Sequence, residues 1–131
     1  MIKLYEAVTD SYPDADKWIP PFHVKIGIST NPAKRIKQWA SGCPFPIQGF
    51  WTIPLNEVFS IARRLEHSIH SVLSSYKTKN EWFIYDDYDT YQSMRIVMLS
   101  ILAAHHQLHF NEMEKKCKWN DGPNWRESKK G

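Results

Sequence analysis

The stretch HVKIGISTNPAKRIKQW, His23 to Trp39, limits the architecture of this chain more tightly than any other. Val24, Ile26 and Ile28 alternate with His23, Lys25, Gly27 and Ser29, the period of a strand with one buried face. The pattern then changes at once. Thr30 or Asn31 supplies a helix cap, Pro32 falls at or near the first helical position, where its missing N–H is harmless, and Gly42 with Pro44 stops the element. A strand that feeds a helix running from about Pro32 to Ser41 commits the chain to a mixed α and β domain.

The remaining segments extend that start. Ile2 to Val8 alternates as a first strand, and a long loop containing Pro and Asp joins it to the second as a hairpin with an oversized connection. Ile47 to Ile53 is rich in strand formers; Pro54 and Asn56 end it and open a helix over about Glu57 to Tyr76. Lys77 to Asn80 separates that helix from a short strand, EWFIYD, and Asp86 or Asp87 caps a third helix through about His109. The pattern predicts an α+β fold: a small, mainly antiparallel three-stranded sheet flanked by helices, with an added C-terminal helix. A single domain spans residues 1–110, and residues 111–131 read as a basic, flexible tail.

At 131 residues, 42% hydrophobic and 14% aromatic, the chain can build one compact core and is short for two. No run approaches the ~18 apolar residues of a membrane helix. The N-terminus meets charge at Lys3 and Glu6, against a signal peptide, so a cytoplasmic protein is expected. Cys43 and Cys117, far apart and without metal-ligand spacing, then read as reduced thiols. A formal charge of +3 favours an anionic partner without naming one.

Several side chains could carry chemistry. On a helical wheel Val58, Ala62, Leu65, Ile69, Val72 and Tyr76 form an apolar stripe, and Glu66 falls at its edge beside Phe59, His70 and Leu73. A half-covered carboxylate there either pairs with Arg63 or His70 or ligates a hard divalent cation. On the first helix Ala33, Ile36 and Ala40 face inward, which sets Arg35 at the border beside Trp39 and leaves Lys34 and Lys37 nearer solvent. A guanidinium at that border matches a salt-bridge partner or a phosphate. Gly27, in mid-strand, marks a bulge or a close approach to the backbone by a phosphate or a neighbouring helix. His67 and His70, and likewise His105, His106 and His109, have helical spacing, but neither a cysteine pair nor an HExxH motif accompanies them, which argues against zinc. His105 or His109 reads instead as a cap near its helix end. Trp119 and Trp125, interleaved with lysines, are candidates for stacking on nucleic-acid bases.

Together HVKIGIS, NPAKRIKQW, RLEHSIH and EWF resemble the GIY-YIG nuclease superfamily, in particular its phage-encoded branch, whose second signature often reads VKIG. The resemblance covers about residues 2–85. It sets IKLYEAV on the first signature strand with Tyr5 retained, and Lys25, Ile26 and Gly27 on the second, Lys25 standing where a tyrosine is usual. Arg35 matches the family's helix arginine and Glu66 its metal-binding glutamate. The resemblance implies metal-assisted hydrolysis of DNA phosphodiester bonds, with Glu66 holding one Mg²⁺ or Mn²⁺ and Arg35 stabilising charge on the phosphate. Tyr5 would activate water, its pKa lowered by neighbours such as Lys25, which is itself an alternative base or phosphate ligand. His70 would orient Glu66. Gly27, which lets the DNA backbone lie close, and Lys34 and Lys37 would bind substrate.

Two other readings stay open. One is a non-catalytic DNA-binding module on the same fold, with Glu66 ion-paired. The other is a protein-interaction domain that exposes its third helix, whose apolar residues Met94, Met98, Leu99, Ile101 and Leu102 could equally build a homodimer.

Overall fold

A computed structural model of the chain describes residues 1–10, 21–40, 47–78 and 82–122. Trp18, Cys43, Asn80, Glu81 and Trp125 lie outside them. The strands are β1 (Lys3–Asp10), β2 (Phe22–Ser29), β3 (Ile47–Pro54), β4 (Phe83–Tyr85) and β5 (Lys118–Asp121), and they form one antiparallel sheet in the order β4-β2-β1-β3-β5. The helices are α1 (Pro32–Ala40), α2 (Phe59–Val72), α3 (Tyr88–His106) and α4 (Phe110–Lys115), with a single 3₁₀ turn, Ser74–Tyr76, after α2.

The sheet therefore has five strands, not three. The short strand expected at EWFIYD joins it as β4 over Phe83–Tyr85, and β5 comes from residues assigned to the tail. Residues 110–121 continue the fold as α4 and β5. β5 escapes a pattern search because it is four residues long and lacks a fully buried side chain. What holds it is tertiary: Trp119 packs edge-on against Trp51 of β3 at 5.2 Å between ring centroids, in space that the missing side chain of Gly49 leaves open. Trp119 is thus packed against the core and remains partly exposed.

Alternation along β1 divides the interior into two layers. Leu4 and Val8 point to the main core, where Val24, Ile26 and Ile53 meet Leu65 and Ile69 of α2 and Met98, Leu99 and Leu102 of α3. Tyr5 and Ala7 point the other way, into a smaller cluster with Ile36 of α1 and Ile47 and Phe50 of β3. The apolar surface of α3 is used inside the fold: Tyr91, Met98, Leu99, Leu102 and Ala103 are buried, with Met94, Val97 and Ile101 packed against the same cluster. A homodimer through this helix is accordingly not supported. The apolar stripe of α2 is also narrower than the wheel implies, because Val58 and Val72 are exposed and Leu73 takes their place in the core.

Local capping rules hold well. Asn31 Oδ1 accepts the Lys34 N–H at 3.2 Å, and Asp87 Oδ1 accepts the Thr90 N–H at 2.7 Å. α3 ends at His106 through Gln107, whose φ of 56° is left-handed, so His109 stands at the start of α4 instead of capping α3. A buried ion pair crosses the main core: Arg95 Nε donates to Glu6 Oε1 at 2.8 Å, with Glu6 only 1% exposed and the guanidinium lying 4.3 Å from the Trp51 ring. Burial pushes the Glu6 carboxyl above its ordinary pKa, and Arg95 pulls it part of the way back. Among the described residues no helix is long and apolar enough to cross a membrane.

Candidate functional site

β4 pairs with β2 only from Phe22 to Val24. Beyond that point α2 packs along β2, and His70 uses a backbone group that no strand occupies: its Nε2 lies 2.8 Å from the Ile26 carbonyl oxygen. A carbonyl can only accept, so the ring hydrogen sits on Nε2, and Nδ1 is left as the acceptor facing Lys77 Nζ at 3.4 Å. The ring is steadied further by an edge contact with Phe83, 5.2 Å between centroids. His70 therefore ties α2 to the sheet through the Ile26 carbonyl, and among the described residues no hydrogen bond joins it to Glu66 directly.

Against this junction opens a cleft of about 870 Å³. Tyr5 from β1, Lys25 and Gly27 from β2, Arg35 from α1, and Glu66 and His70 from α2 all line it. Lys34 and Lys37 do not; they occupy the exposed face of α1 beside Arg35.

Tyr5 and Gly27 are directly opposed across the β1–β2 pair. A Cβ built on Gly27 would stand 2.5 Å from the Tyr5 hydroxyl oxygen and 2.7 Å from Cζ. What lies against the glycine is the tyrosine ring of the same sheet, so neither a helix nor a phosphate is needed to explain it. The ring is only 3% exposed, and burial raises the Tyr5 pKa above 10.0; Arg35 lowers it in part, while the nearby Glu66 charge raises it again. The expected lowering of the Tyr5 pKa is thus reversed: desolvation of the phenolate outweighs the nearby cation, which is Arg35 and not Lys25.

Lys25 is held in its own way. Its Nζ stands 4.9 Å from the Trp39 ring centroid and 5.7 Å from that of Trp82, and the two indoles meet edge to face at 5.5 Å. Glu66 is the opposite case. It is half-buried and lines the cleft, yet among the described residues no hydrogen bond or ion pair engages it, with Arg63 or with His70.

Arg63, His67, Lys77 and Phe59 line the same cleft and are absent from the expected set. The signal was present in the sequence: Phe59, Arg63, Glu66, His67 and His70 recur at three- and four-residue intervals, a second stripe on α2 beside the apolar one. Lys25, Arg35, Arg63 and Lys77 face a single carboxylate, Glu66, so the cleft is cationic and suited to a polyanion. A smaller hollow of about 320 Å³ shares Ile28, Arg35 and Phe59 with it, and the Phe59 ring is 59% exposed at that border.

A family model described as the T5orf172 domain, a phage-associated domain found in some nuclease-like proteins, matches residues 4–98. The match runs from β1 into α3 and includes every residue that lines the cleft. No curated protein and no solved structure matches the chain.

Proposed function

The chain belongs to the T5orf172 domain family, and from that premise we propose that it is a phage-type, GIY-YIG-like endonuclease that hydrolyses DNA phosphodiester bonds with Mg²⁺ or Mn²⁺. The observation that carries this reading is the convergence of Tyr5, Lys25, Arg35, Glu66 and His70 on one cationic cleft.

A DNA phosphate in the cleft meets the Arg35 guanidinium, whose planar fork suits two phosphate oxygens. It also meets Lys25, which Trp39 and Trp82 hold in place before substrate arrives, so little reorganisation remains to be done. Glu66 fits a hard cation: its oxygens are unengaged, and Mg²⁺ commonly takes one or two carboxylates, completing its octahedron with waters and substrate phosphate. That ion would supply Lewis-acid stabilisation of the charge that develops on the phosphate. Tyr5, kept protonated by burial, donates a hydrogen bond to a phosphate oxygen and takes a proton from water only in its ionised minority form. His70 is a positioning residue that fixes α2, and with it Glu66, against β2. Lys34, Lys37, Arg63 and Lys77 extend the positive surface to flanking phosphates, and the exposed Phe59 ring offers a stacking face to a base.

The test is plasmid nicking. Supercoiled DNA is incubated with the wild-type chain or Glu66→Gln in Mg²⁺, Mn²⁺ or EDTA. Nicking that needs metal, and that falls by about a hundredfold or more in the variant with its fold retained, is the expected result. A second reading, a DNA-binding module without catalysis, draws on the protonated state of Tyr5. It predicts no nicking in any metal and DNA retention that weakens steeply with salt.

A further inference from the structure

We propose that Glu57, His105 and His106 form a binding site for a divalent transition-metal ion, Zn²⁺ by donor type, that ties the start of α2 to the end of α3. The site lies apart from the cleft and does not depend on the nuclease reading.

The fold brings these residues together from distant parts of the chain. Glu57 lies just before α2, after a left-handed turn at Asn56, and the two histidines are the last residues of α3, where Gln107 ends the helix in the same left-handed region. One ligand atom from each residue falls in a group whose members all lie within 4.8 Å of one another. His105 Nε2 and Glu57 Oε1 are already 2.9 Å apart.

Zn²⁺ takes nitrogen and carboxylate oxygen at about 2.0–2.2 Å, so tetrahedral ligands stand roughly 3.4 Å from one another. From a group spanning at most 4.8 Å, reaching that geometry takes displacements of the order of 1 Å. Two imidazoles and one carboxylate, with water in the fourth position, are a zinc donor set, whereas Mg²⁺ and Ca²⁺ select oxygen ligands. His106 adds a second indication: its Nε2 is covered by protein and has no hydrogen-bond partner, a condition that buried polar atoms rarely keep. The side chains of His105 and Glu57 are 33% and 24% exposed, so an ion can reach them from solvent.

The experiment uses the full chain without a polyhistidine tag, stripped with EDTA and dialysed, and titrated with Zn²⁺ by calorimetry and with Co²⁺ by visible absorption. The expected result is uptake of one ion per chain, a tetrahedral Co²⁺ spectrum, and a loss of affinity of about tenfold or more in Glu57→Gln and, separately, in His105→Asn. Both substitutions are at partly exposed positions, and thermal unfolding in EDTA verifies that each variant is folded. Uptake that survives both substitutions, uptake abolished instead by His67→Asn, or no uptake by the wild type at about 100 μM Zn²⁺ overturns the proposal.

Discussion

Gly27→Ala should destabilise the protein when Tyr5 is present and stabilise it when Tyr5 is removed. A methyl at position 27 would lie 2.5 Å from the Tyr5 hydroxyl oxygen and 2.7 Å from Cζ. Comfortable contacts between such atoms begin near 3.5 Å, so the ring must retreat by about 1 Å. It has little room, because its neighbours Ile36, Ile47 and Phe50 close the cluster behind it. Overpacking of that kind costs about 1–3 kcal/mol. A glycine inside a strand is itself about 0.5–1 kcal/mol worse than alanine, which offsets part of the cost. In a Tyr5→Ala background the clash is gone and only the offset remains, so adding Gly27→Ala there should gain about 0.5–1 kcal/mol. The coupling between the two sites is then the overpacking term alone, about 1–3 kcal/mol. Urea unfolding of the wild type, both single variants and the double variant measures it directly, provided the slopes agree. Effects that add within about 0.5 kcal/mol, or an effect of Gly27→Ala with the same sign in both backgrounds, would refute the steric account of this glycine.

Two further outcomes follow from buried ionisable groups. Arg95→Met leaves the Glu6 carboxylate without its partner and should cost about 3–5 kcal/mol in urea unfolding. Because the folded-state pKa of Glu6 lies above its ordinary 4.5 and would rise further without Arg95, the folded form binds the extra proton. The deficit should therefore be smallest below pH 4.5 and widen as pH rises through the folded value; a deficit independent of pH would exclude Glu6 as its source. In the cleft, a Tyr5 pKa above 10.0 leaves less than about one molecule in a thousand ionised at neutral pH. If Tyr5 is the base, nicking at fixed metal should accelerate about tenfold per pH unit from about pH 6 to 9, and a plateau near neutrality would assign the proton transfer to another group.

Much of this molecule is legible in its sequence because it depends on neighbours along the chain. The alternation of Val24, Ile26 and Ile28 specifies a strand, Asn31 and Asp87 cap the helices that follow them, and both features hold in three dimensions. Spacing and the family resemblance also named Tyr5, Lys25, Arg35, Glu66 and His70, and the stripe on α2 that adds Arg63 and His67 could have been found in the same way. Other features had no local signature. β5 is too short and too exposed to announce itself, and pairs with a strand more than sixty positions earlier. Glu6 and Arg95 are separated by 89 positions, and Glu57 and His105 by 48. The role of Gly27 depends on which ring the opposite strand sets over it, and the Tyr5 pKa on how far that ring is buried. Periodicity and capping are short-range consequences of backbone hydrogen bonding, so the sequence by itself determined the elements from β1 to α3 and carried the spacing of the polar stripe, but not α4 or β5. Distances between elements arise only when side chains from remote segments compete for one interior, and that packing decided which charges pair, which stay unengaged and which polar groups lose water.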